Sequence, residues 1–440
     1  MPDASSGRQV NAPEKTDVLT VFFTGNELGA LKPCGCSGGQ LGGLDRRAVV
    51  FNSVPEDKSL IIDTGSLVKS DGEQDLIKFN IILQAFRLLD YDVVNLSERD
   101  IETGMNLGLL DNTGSDFELI SPHHLSNVDI PVKFTKTLLL ENKTVLVTVA
   151  TFDVKTMPIE QIERLYSSTS EAGDTNSGSD NTVLSMNILI LNHRNEAIID
   201  YLSSNLPFVD CVVLPSESDE PMVVGQKNNK PFVISIGRLG RYLSGLRITK
   251  SHDSEDMDKL NFSFFSIPVT EDLEQQDALV ELYKDYQQIV KERNLLEKHP
   301  RFTLSNGLKY MGSSSCKACH EYEYEKWSGK AHARAYATLE KVGSQFDPEC
   351  VICHVVGMDY ESGFITAEKT GHLKDVGCEN CHGPGSAHIK SLGATRTGGP
   401  MSDCIDCHTP EHSGEYAGNE DAFMEKIIHW REPDVTGSVK

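Results

Sequence analysis

The motif Cys-x-x-Cys-His occurs four times in this chain, as CKACH (316–320), CVICH (350–354), CENCH (378–382) and CIDCH (404–408). This spacing is that of a c-type haem attachment site: two thiols bind the haem vinyl groups and the following histidine binds the iron. Zinc knuckles or a disulfide framework would explain the paired cysteines but not a histidine after every pair. The sequence therefore predicts four covalently bound c-type haems with their iron.

The motifs define the predicted attachment residues and one iron ligand for each haem. The attaching cysteines are Cys316, Cys319, Cys350, Cys353, Cys378, Cys381, Cys404 and Cys407. The motif histidines are His320, His354, His382 and His408. A six-coordinate haem needs a second axial ligand from elsewhere in the chain. We expect the distal ligands to come from the other histidines of the same stretch, which are His332, His372, His388, His412 and His429.

Composition places a domain boundary before the motifs. Eight of the 11 cysteines and nine of the 14 histidines follow residue 305, and 440 residues are enough for two or three domains. The net charge of -24 argues against nucleic acid or an anionic membrane as the main partner. It favours a redox partner protein with a basic surface.

The sequence contains no run of 18 apolar residues, so we expect no transmembrane helix. Residues 1–17 are polar and lack the apolar core of a signal peptide. Covalent haem attachment nevertheless normally takes place outside the cytoplasm. We therefore expect a periplasmic or otherwise exported protein whose signal was trimmed or whose start was placed too late.

The first part of the chain alternates strand-like and helix-like segments. Apolar runs rich in β-branched residues occur at 18–23, 60–65, 145–150, 188–193, 211–215 and 232–237. Helical periodicity occurs between them at 42–54, 73–90, 158–168 and 195–206. This alternation predicts a layered α/β domain with a mostly buried sheet. Long helices are also predicted at 271–298 and 321–342, the first with an apolar stripe that includes Leu279 and Tyr286.

From Ser313 to about Trp430 the chain resembles the tetrahaem cytochrome c-554 family. The matching pieces include SSSCKACHEYEYEKWSGKAHARAYATL, DPECVICH, VGCENCHGPGSAHIK and FMEKIIHW. The resemblance implies that His332, His388 and His429 are distal ligands, whereas His372 and His412 match no ligand position. Three distal imidazoles for four irons would leave one haem five-coordinate, as in the type member of the family, unless one of the latter two histidines binds it.

Two kinds of haem chemistry remain open from the sequence. Six-coordinate bis-histidine iron can only pass electrons, which predicts electron transfer as the main function. Five-coordinate iron can bind a small ligand, so the alternative is an oxidoreductase that acts on a small nitrogen oxide or hydroxylamine. A third hypothesis is a partner-docking module in the α/β domain.

The α/β half resembles the metallophosphoesterase domain of the 5′-nucleotidase family over roughly 18–295. The matching pieces are TVFFTGNELGA, GGLDRRAVVFN, LIIDTGS, YDVVNLSERD, ILILNHRN and ISIGRLGRYLSGLRI. The resemblance implies two metal ions bound by Asp, His and Asn, but most ligand positions differ. The changed segments are Asn26-Glu27-Leu28, Gly65-Ser66, Ser97-Glu98-Arg99-Asp100 and Pro215-Ser216-Glu217-Ser218, whereas His193 remains. We therefore expect a domain without phosphoesterase activity, with Arg99 as a fixed cation at a former metal position.

The glycine-rich segment 32–47 departs from that family. Cys34 and Cys36 could bind an additional metal with Cys211 or with His123 and His124. They could also form a strained disulfide, carry a redox thiol or be structural cysteines.

We further expect Asp45, Arg46 and Arg47 to form a helix start and surface contacts. The sequence thus predicts four parts: a disordered tail at 1–16, a metallophosphoesterase-like α/β domain at 17–270, a linking helix at 271–305 and a mainly α, loop-rich tetrahaem cytochrome c domain at 306–440.

Overall fold

The computed structural model describes residues 17–33, 39–110, 116–123, 129–167, 183–215, 218–225, 231–251, 259–401, 403–410 and 412–431. The predicted tail at 1–16 lies outside the described residues, as do Cys34, Cys36 and His124. The chain divides into two compact units. The first contains Met1–Ala30, Gly42–Val269 and Leu273–Gln276, and the second contains Leu31–Leu41, Thr270–Asp272 and Asp277–Lys440.

Two six-stranded sheets form the first unit. Their strands are β1 (Leu19–Thr24), β2 (Ser59–Asp63), β3 (Val93–Asn95), β4 (Glu118–Ile120), β5 (Lys133–Leu140), β6 (Lys143–Phe152), β7 (Leu184–Leu191), β8 (Cys211–Leu214), β9 (Met222–Gly225), β10 (Phe232–Ser235), β11 (Tyr242–Lys250) and β12 (Leu260–Pro268). The strand order is β12-β11-β1-β2-β3-β4 in the first sheet and β5-β6-β7-β8-β10-β9 in the second. The strands β1 to β4 are parallel, as are β6, β7, β8 and β10, and antiparallel strands flank both sets.

The two sheets share one apolar layer. Val21 and Ile62 of the first sheet and Val147 and Ile188 of the second are wholly buried in it. Leu189, on the opposite face of the second sheet, belongs to another buried cluster that includes residues of two helices. All six predicted apolar runs are observed as strands, which confirms the α/β class. The sequence predicted one buried sheet, whereas the structure has two. A strand with two apolar faces has the same sequence pattern in either arrangement.

Five α-helices are described in the first unit. They are α1 (Ala48–Phe51), α2 (Glu73–Leu88), α3 (Glu98–Leu107), α4 (Gln161–Ser167) and α5 (Glu196–Asn205). A 3₁₀ helix at Leu44–Arg46 precedes α1, so the predicted helix start is present. Asp45 is buried, however, and its carboxylate accepts a hydrogen bond from Gln275 Nε2 at 2.7 Å. Its assignment to surface contacts was therefore wrong.

A group of polar side chains is buried near the carboxyl ends of β1 and β2. Arg47 and Glu27 are both 0% exposed and form an ion pair, with 2.7 Å between Nη2 and Oε2. Arg47 Nη1 also donates to the Tyr91 hydroxyl at 3.1 Å. The Thr24 hydroxyl lies 2.9 Å from that of Tyr91 and donates to the Asp63 carboxylate at 2.6 Å. The expected surface position of Arg47 was therefore wrong, because Glu27 neutralises its charge inside the unit.

This buried group carries no net charge at neutral pH. Burial raises the pKa of Asp63 to about 8, and the negative charge of Glu27 adds to the shift. Burial by itself would lower the pKa of Arg47, but the charge of Glu27 and the hydrogen bonds raise it overall. One ion pair and one protonated carboxyl therefore remain, and this balance limits the cost of removing the charges from water.

The second unit is mainly helical and has long loops. Its helices are α6 (Asp277–Glu292), α7 (Leu295–Lys298), α8 (Glu321–Ser328), α9 (Ala335–Val342), α10 (Pro348–Val351), α11 (Ala367–Thr370), α12 (Cys378–His382), α13 (Ser386–Lys390), α14 (Cys404–Cys407) and α15 (Glu420–Ile427). Leu279, Leu282 and Tyr286 of the predicted stripe are buried. The Tyr286 hydroxyl donates to Asp347, the residue that caps α10, at 2.8 Å. The helix that begins at Asp277 thus belongs to the second unit.

The helix predicted at 321–342 is interrupted between α8 and α9, so that prediction was wrong. A continuous helix would have a hydrogen bond from Tyr336 N to His332 O. Instead, Val376 N donates to His332 O at 3.0 Å, and Tyr336 N donates to Asp375 Oδ1 at 3.0 Å. Residues 375 and 376, which are distant in sequence, therefore bond the two backbone groups that would otherwise bond each other in a helix.

The Glu379 carboxylate connects three segments of the second unit. Its side chain is buried at 3% exposure. It accepts hydrogen bonds from Met311 N at 2.9 Å, from Gly312 N at 2.7 Å and from Gly385 N at 2.7 Å. Because Glu379 lies inside the CENCH motif, these bonds fix that motif against the chain before the first motif.

We expect Glu379→Gln to lower the free energy of unfolding of the second unit by about 2–3 kcal/mol, because an amide nitrogen would face backbone N–H donors that the carboxylate now satisfies. Urea unfolding followed by visible haem absorption measures the change. Glu361→Gln, at an exposed position, is the control and should unfold like the parent. Equal stability of the Glu379 variant and the control would contradict the prediction.

The pH dependence of the first unit should reflect Asp63. Its folded pKa of about 8 lies above the unfolded value of about 3.9, so the folded state keeps a proton that the unfolded state loses. The free energy of unfolding should therefore fall as pH rises from about 4 to about 8, by up to about 1.4 kcal/mol per pH unit. Hydrogen exchange of peptides from β1 and β2, measured in urea at several pH values, tests this slope.

Asp63→Asn should remove most of this slope, because the amide is neutral at every pH and retains an oxygen that can accept from Gly65 N. Asp200→Asn, at an exposed position of α5, should keep the parental slope. The same slope in the Asp63 variant and the parent would show that another group is responsible.

Candidate functional site

Each motif places its cysteines one helical turn apart. The helices α12 and α14 begin at Cys378 and Cys404, α10 contains Cys350, and Cys316 follows a 3₁₀ helix at Ser313–Ser315. Side chains three and four residues apart are neighbours on a helix surface. The two thiols and the histidine of a helical motif therefore lie near one another.

The surroundings of the motifs fit an apolar prosthetic group. All eight motif cysteines are exposed or half-buried. Large apolar side chains are exposed in the same stretch of chain, namely Ile352, Leu392, Met401, Ile405, Met424 and Trp430. A porphyrin plane would cover apolar surface of this kind, which is otherwise unfavourable in water. The residues present thus fit covalently bound haem.

Three motif histidines lie opposite a second histidine at a common distance. The ring centroids of His320 and His388 are 5.9 Å apart. The separation is 6.2 Å both for His408 with His332 and for His382 with His429. Two imidazoles that bind one iron from opposite sides, each through a bond of about 2 Å, have centroids roughly 6 Å apart. Each pair has the separation that ligation of one iron from both sides requires.

Hydrogen bonds at Nδ1 orient several of these rings. His388 Nδ1 lies 2.8 Å from Thr395 O, and His429 Nδ1 lies 2.9 Å from Ile427 O. His408 Nδ1 lies 3.1 Å from Ser413 Oγ. An Nδ1–H that donates to an oxygen leaves Nε2 as the metal-binding atom, the usual arrangement of ligating histidines. Burial also lowers the pKa of His332, His354, His382 and His408, which favours the neutral, metal-binding form of each ring.

The fourth motif histidine, His354, is oriented in the same way. Its Nδ1–H donates to Ala335 O at 2.6 Å. His372 and His412, the weaker candidates, are both exposed. The backbone and ring of His372 lie against Gly312, and His412 Nδ1 is 2.9 Å from Thr409 Oγ1.

Contacts between thiols show which motifs are neighbours. The Cys316 and Cys378 side chains lie close enough to affect each other's pKa, so the first motif lies beside the third. The same holds for Cys407 and Cys353, so the fourth lies beside the second. Burial raises the pKa of the Cys381 thiol and the nearby Cys404 adds to the shift, which places the third motif near the fourth. The motifs therefore follow the spatial order first, third, fourth, second.

In the first unit, positions expected to correspond to metal ligands take part in internal contacts. Asn26 Nδ2 donates to Gly237 O at 3.2 Å. The Asp100 carboxylate accepts hydrogen bonds from Ser66 N at 2.8 Å and from Leu67 N at 2.9 Å. These side chains therefore stabilise the loops after β1 and β2.

Arg99, the expected fixed cation, is exposed on the first turn of α3, and its place at a former metal position stays a prediction. Arg47, by contrast, is buried and pairs with Glu27. The sequence pattern gave no link between these two residues, which are 20 positions apart and meet only in the fold.

The residues proposed to bind an additional metal are only partly described. Cys34, Cys36 and His124 lie outside the described residues. Cys211 is wholly buried in the layer between the two sheets, and burial raises the pKa of its thiol. His123 Nδ1 lies 3.9 Å from Asp153 Oδ2, and the retained His193 is exposed with Nε2 2.8 Å from Lys155 Nζ.

Several solved structures are similar to this chain. The calcineurin-like phosphoesterase YfkN from Bacillus subtilis is 15% identical, with a TM-score of 0.44, and covers 63% of this chain and 99% of its own. A 5′-nucleotidase precursor from Thermus thermophilus is 14% identical, with a TM-score of 0.45 and coverage of 74% and 68%. The NAD nucleotidase NadN from Haemophilus influenzae is 10% identical, with a TM-score of 0.46 and coverage of 70% and 69%. Likenesses at this identity concern the fold alone.

Within the described residues, no helix is long and apolar enough to cross a membrane. Residues 315–383 match the family model described as cytochrome c554 and c-prime. Cytochrome c-554 from Nitrosomonas europaea is 32% identical over 105 residues, which cover 19% of this chain and 45% of that protein. The chain thus spans less than half the length of this relative. The resemblance of the motif-bearing region to the cytochrome c-554 family is confirmed over this part of the chain.

Proposed function

We propose that the second unit transfers electrons through four c-type haems, one at each Cys-x-x-Cys-His motif. The observation that carries this proposal is the spacing of the three histidine pairs, at 5.9–6.2 Å between ring centroids. Bound haem supplies a one-electron couple between ferric and ferrous iron. The chain's own residues hold it through thioethers, orient its ligands through the Nδ1 hydrogen bonds and cover its faces with apolar side chains.

The order of the motifs supports a continuous electron route. Each motif has a thiol close to a thiol of the next motif in the order first, third, fourth, second. Haems attached at neighbouring cysteines would lie close together, so electrons could pass between them without a mobile carrier. The haems of CKACH and CVICH would then be the ends of the route.

We further propose an exported protein that exchanges electrons with a basic partner protein. Covalent haem attachment outside the cytoplasm supports the location. The net charge of -24 supports the partner, because a basic surface would be steered towards this chain and an anionic one repelled.

The first unit, in this proposal, has no phosphoesterase metal centre. The Arg47–Glu27 pair supports this, as does the use of Asp100 for backbone hydrogen bonds. We expect metal analysis after incubation with manganese or zinc to give four irons and less than one other metal per chain, with no hydrolysis of a nucleotide monophosphate. Two non-haem metals per chain together with hydrolysis would overturn this part of the proposal.

The alternative is reduction or oxidation of a small nitrogen compound at a five-coordinate haem. It rests on the resemblance to the cytochrome c-554 family, which implies three distal histidines for four irons. The number of high-spin haems per chain decides between the functions. One high-spin haem per chain that turns over hydroxylamine or nitric oxide would favour the alternative over simple electron relay.

Removal of a paired histidine should change one haem and leave the others as they are. In His429→Ala we expect one ferric haem per chain to change from low-spin to high-spin, because its iron loses one of two imidazole ligands. Low-temperature EPR of the fully oxidised protein counts both forms, and mass spectrometry confirms four attached haems.

His299→Ala is the matched control, since this histidine lies in the same unit, is not a candidate ligand and pairs with Asp359. Its EPR spectrum should equal that of the parent. An unchanged spectrum in His429→Ala, with all four haems attached, would contradict the proposed ligand pairs.

A further inference from the structure

A single peptide group connects the Asp375 carboxylate with the His354 ring. The N–H of Tyr336 donates to Asp375 Oδ1 at 3.0 Å. The carbonyl oxygen of the same peptide group, that of Ala335, accepts from His354 Nδ1–H at 2.6 Å. Asp375 does not need to touch the imidazole, because the polar ends of the 335–336 peptide bridge them.

The charge of Asp375 polarises the peptide group in one direction, towards its carbonyl oxygen. A negative charge beside the N–H end of a peptide group draws electron density towards its carbonyl oxygen. Hydrogen bonds in such a chain reinforce one another by about 10–30% per bond. The Ala335 oxygen therefore becomes a stronger acceptor for His354 Nδ1–H, and the ring becomes a stronger electron donor through Nε2.

We propose that Asp375 is a positioning residue that lowers the reduction potential of the haem attached at Cys350 and Cys353. The inference rests on the proposed function, since it requires haem at CVICH with His354 as ligand. A more electron-rich imidazole stabilises ferric over ferrous iron. In the proposed route this haem is one end of the chain, so Asp375 would set the driving force of the last step.

If Asp375 had a purely structural role, Asp375→Asn would leave the haem potential unchanged. Tyr336 is in the first turn of α9, where backbone N–H groups have no partner within the helix. Asp375 satisfies one of them, and an asparagine oxygen does so equally well, because asparagine and aspartate cap helices with similar strength. Asp375→Asn therefore keeps the hydrogen bond and removes only the charge.

The experiment is a spectroelectrochemical titration of the holoprotein with four haems attached. In Asp375→Asn we expect the equilibrium constant for reduction of one haem to rise about tenfold, an upward shift of about 59 mV for one electron. The other three potentials and the thermal unfolding temperature should stay at their parental values.

Two further variants make the result specific. Glu340→Gln removes a negative charge from an exposed residue that pairs with Lys374, next to Asp375, without touching the bridging peptide. It should shift the potential much less than Asp375→Asn. Thr338→Val removes a hydroxyl that donates to Ala335 O at 2.6 Å and lies 3.4 Å from His354 Nδ1, so it should change the potential of the same haem and leave the other three unchanged.

The outcomes separate this inference from the proposed function. Four attached haems with parental potentials in Asp375→Asn would refute the role of Asp375 and leave the haem assignment intact. Equal shifts in Asp375→Asn and Glu340→Gln would also refute it, because a through-space charge would then suffice. Loss of haem from CVICH in the parent protein, detected by peptide mass spectrometry, would instead refute the proposed function.

Discussion

The break between α8 and α9 is the constraint on which the second unit depends. Tyr336 N and His332 O would form one hydrogen bond of a continuous helix. Instead, Tyr336 N donates to Asp375, and His332 O accepts from Val376 N. The chain turns between these residues, so His332 faces His408 while Ala335 O faces His354. An uninterrupted helix would use both backbone groups internally and would leave no hydrogen bond from either group to residues 375 and 376.

Polar contacts over long sequence separations join segments of this unit, in addition to a buried apolar cluster that includes Leu339, Val351 and Phe364. The Glu379 carboxylate accepts backbone hydrogen bonds from residues on both sides of the first two motifs, at 311, 312 and 385. The Tyr286 hydroxyl connects α6 to the cap of α10. Such contacts stabilise the unit, because hydrogen bonds to a carboxylate are stronger than those between neutral groups.

The first unit is stabilised mainly by apolar burial. Two sheets bury one continuous apolar layer, and a small charged group lies beside it with its charges balanced. Arg47 and Glu27 neutralise each other, and the raised pKa of Asp63 keeps a third charge out of the interior.

The sequence by itself determined the haem motifs, the strands of the first unit and the acidic character, because each depends on residues that are close together in the chain. Only the tertiary structure decided that His429 lies opposite His382 and that Arg47 is buried against Glu27. It also decided where the helix at 321–342 breaks. Local sequence favours a continuous helix there, and the contacts that interrupt it come from Asp375 and Val376, whose position depends on the folding of the intervening chain.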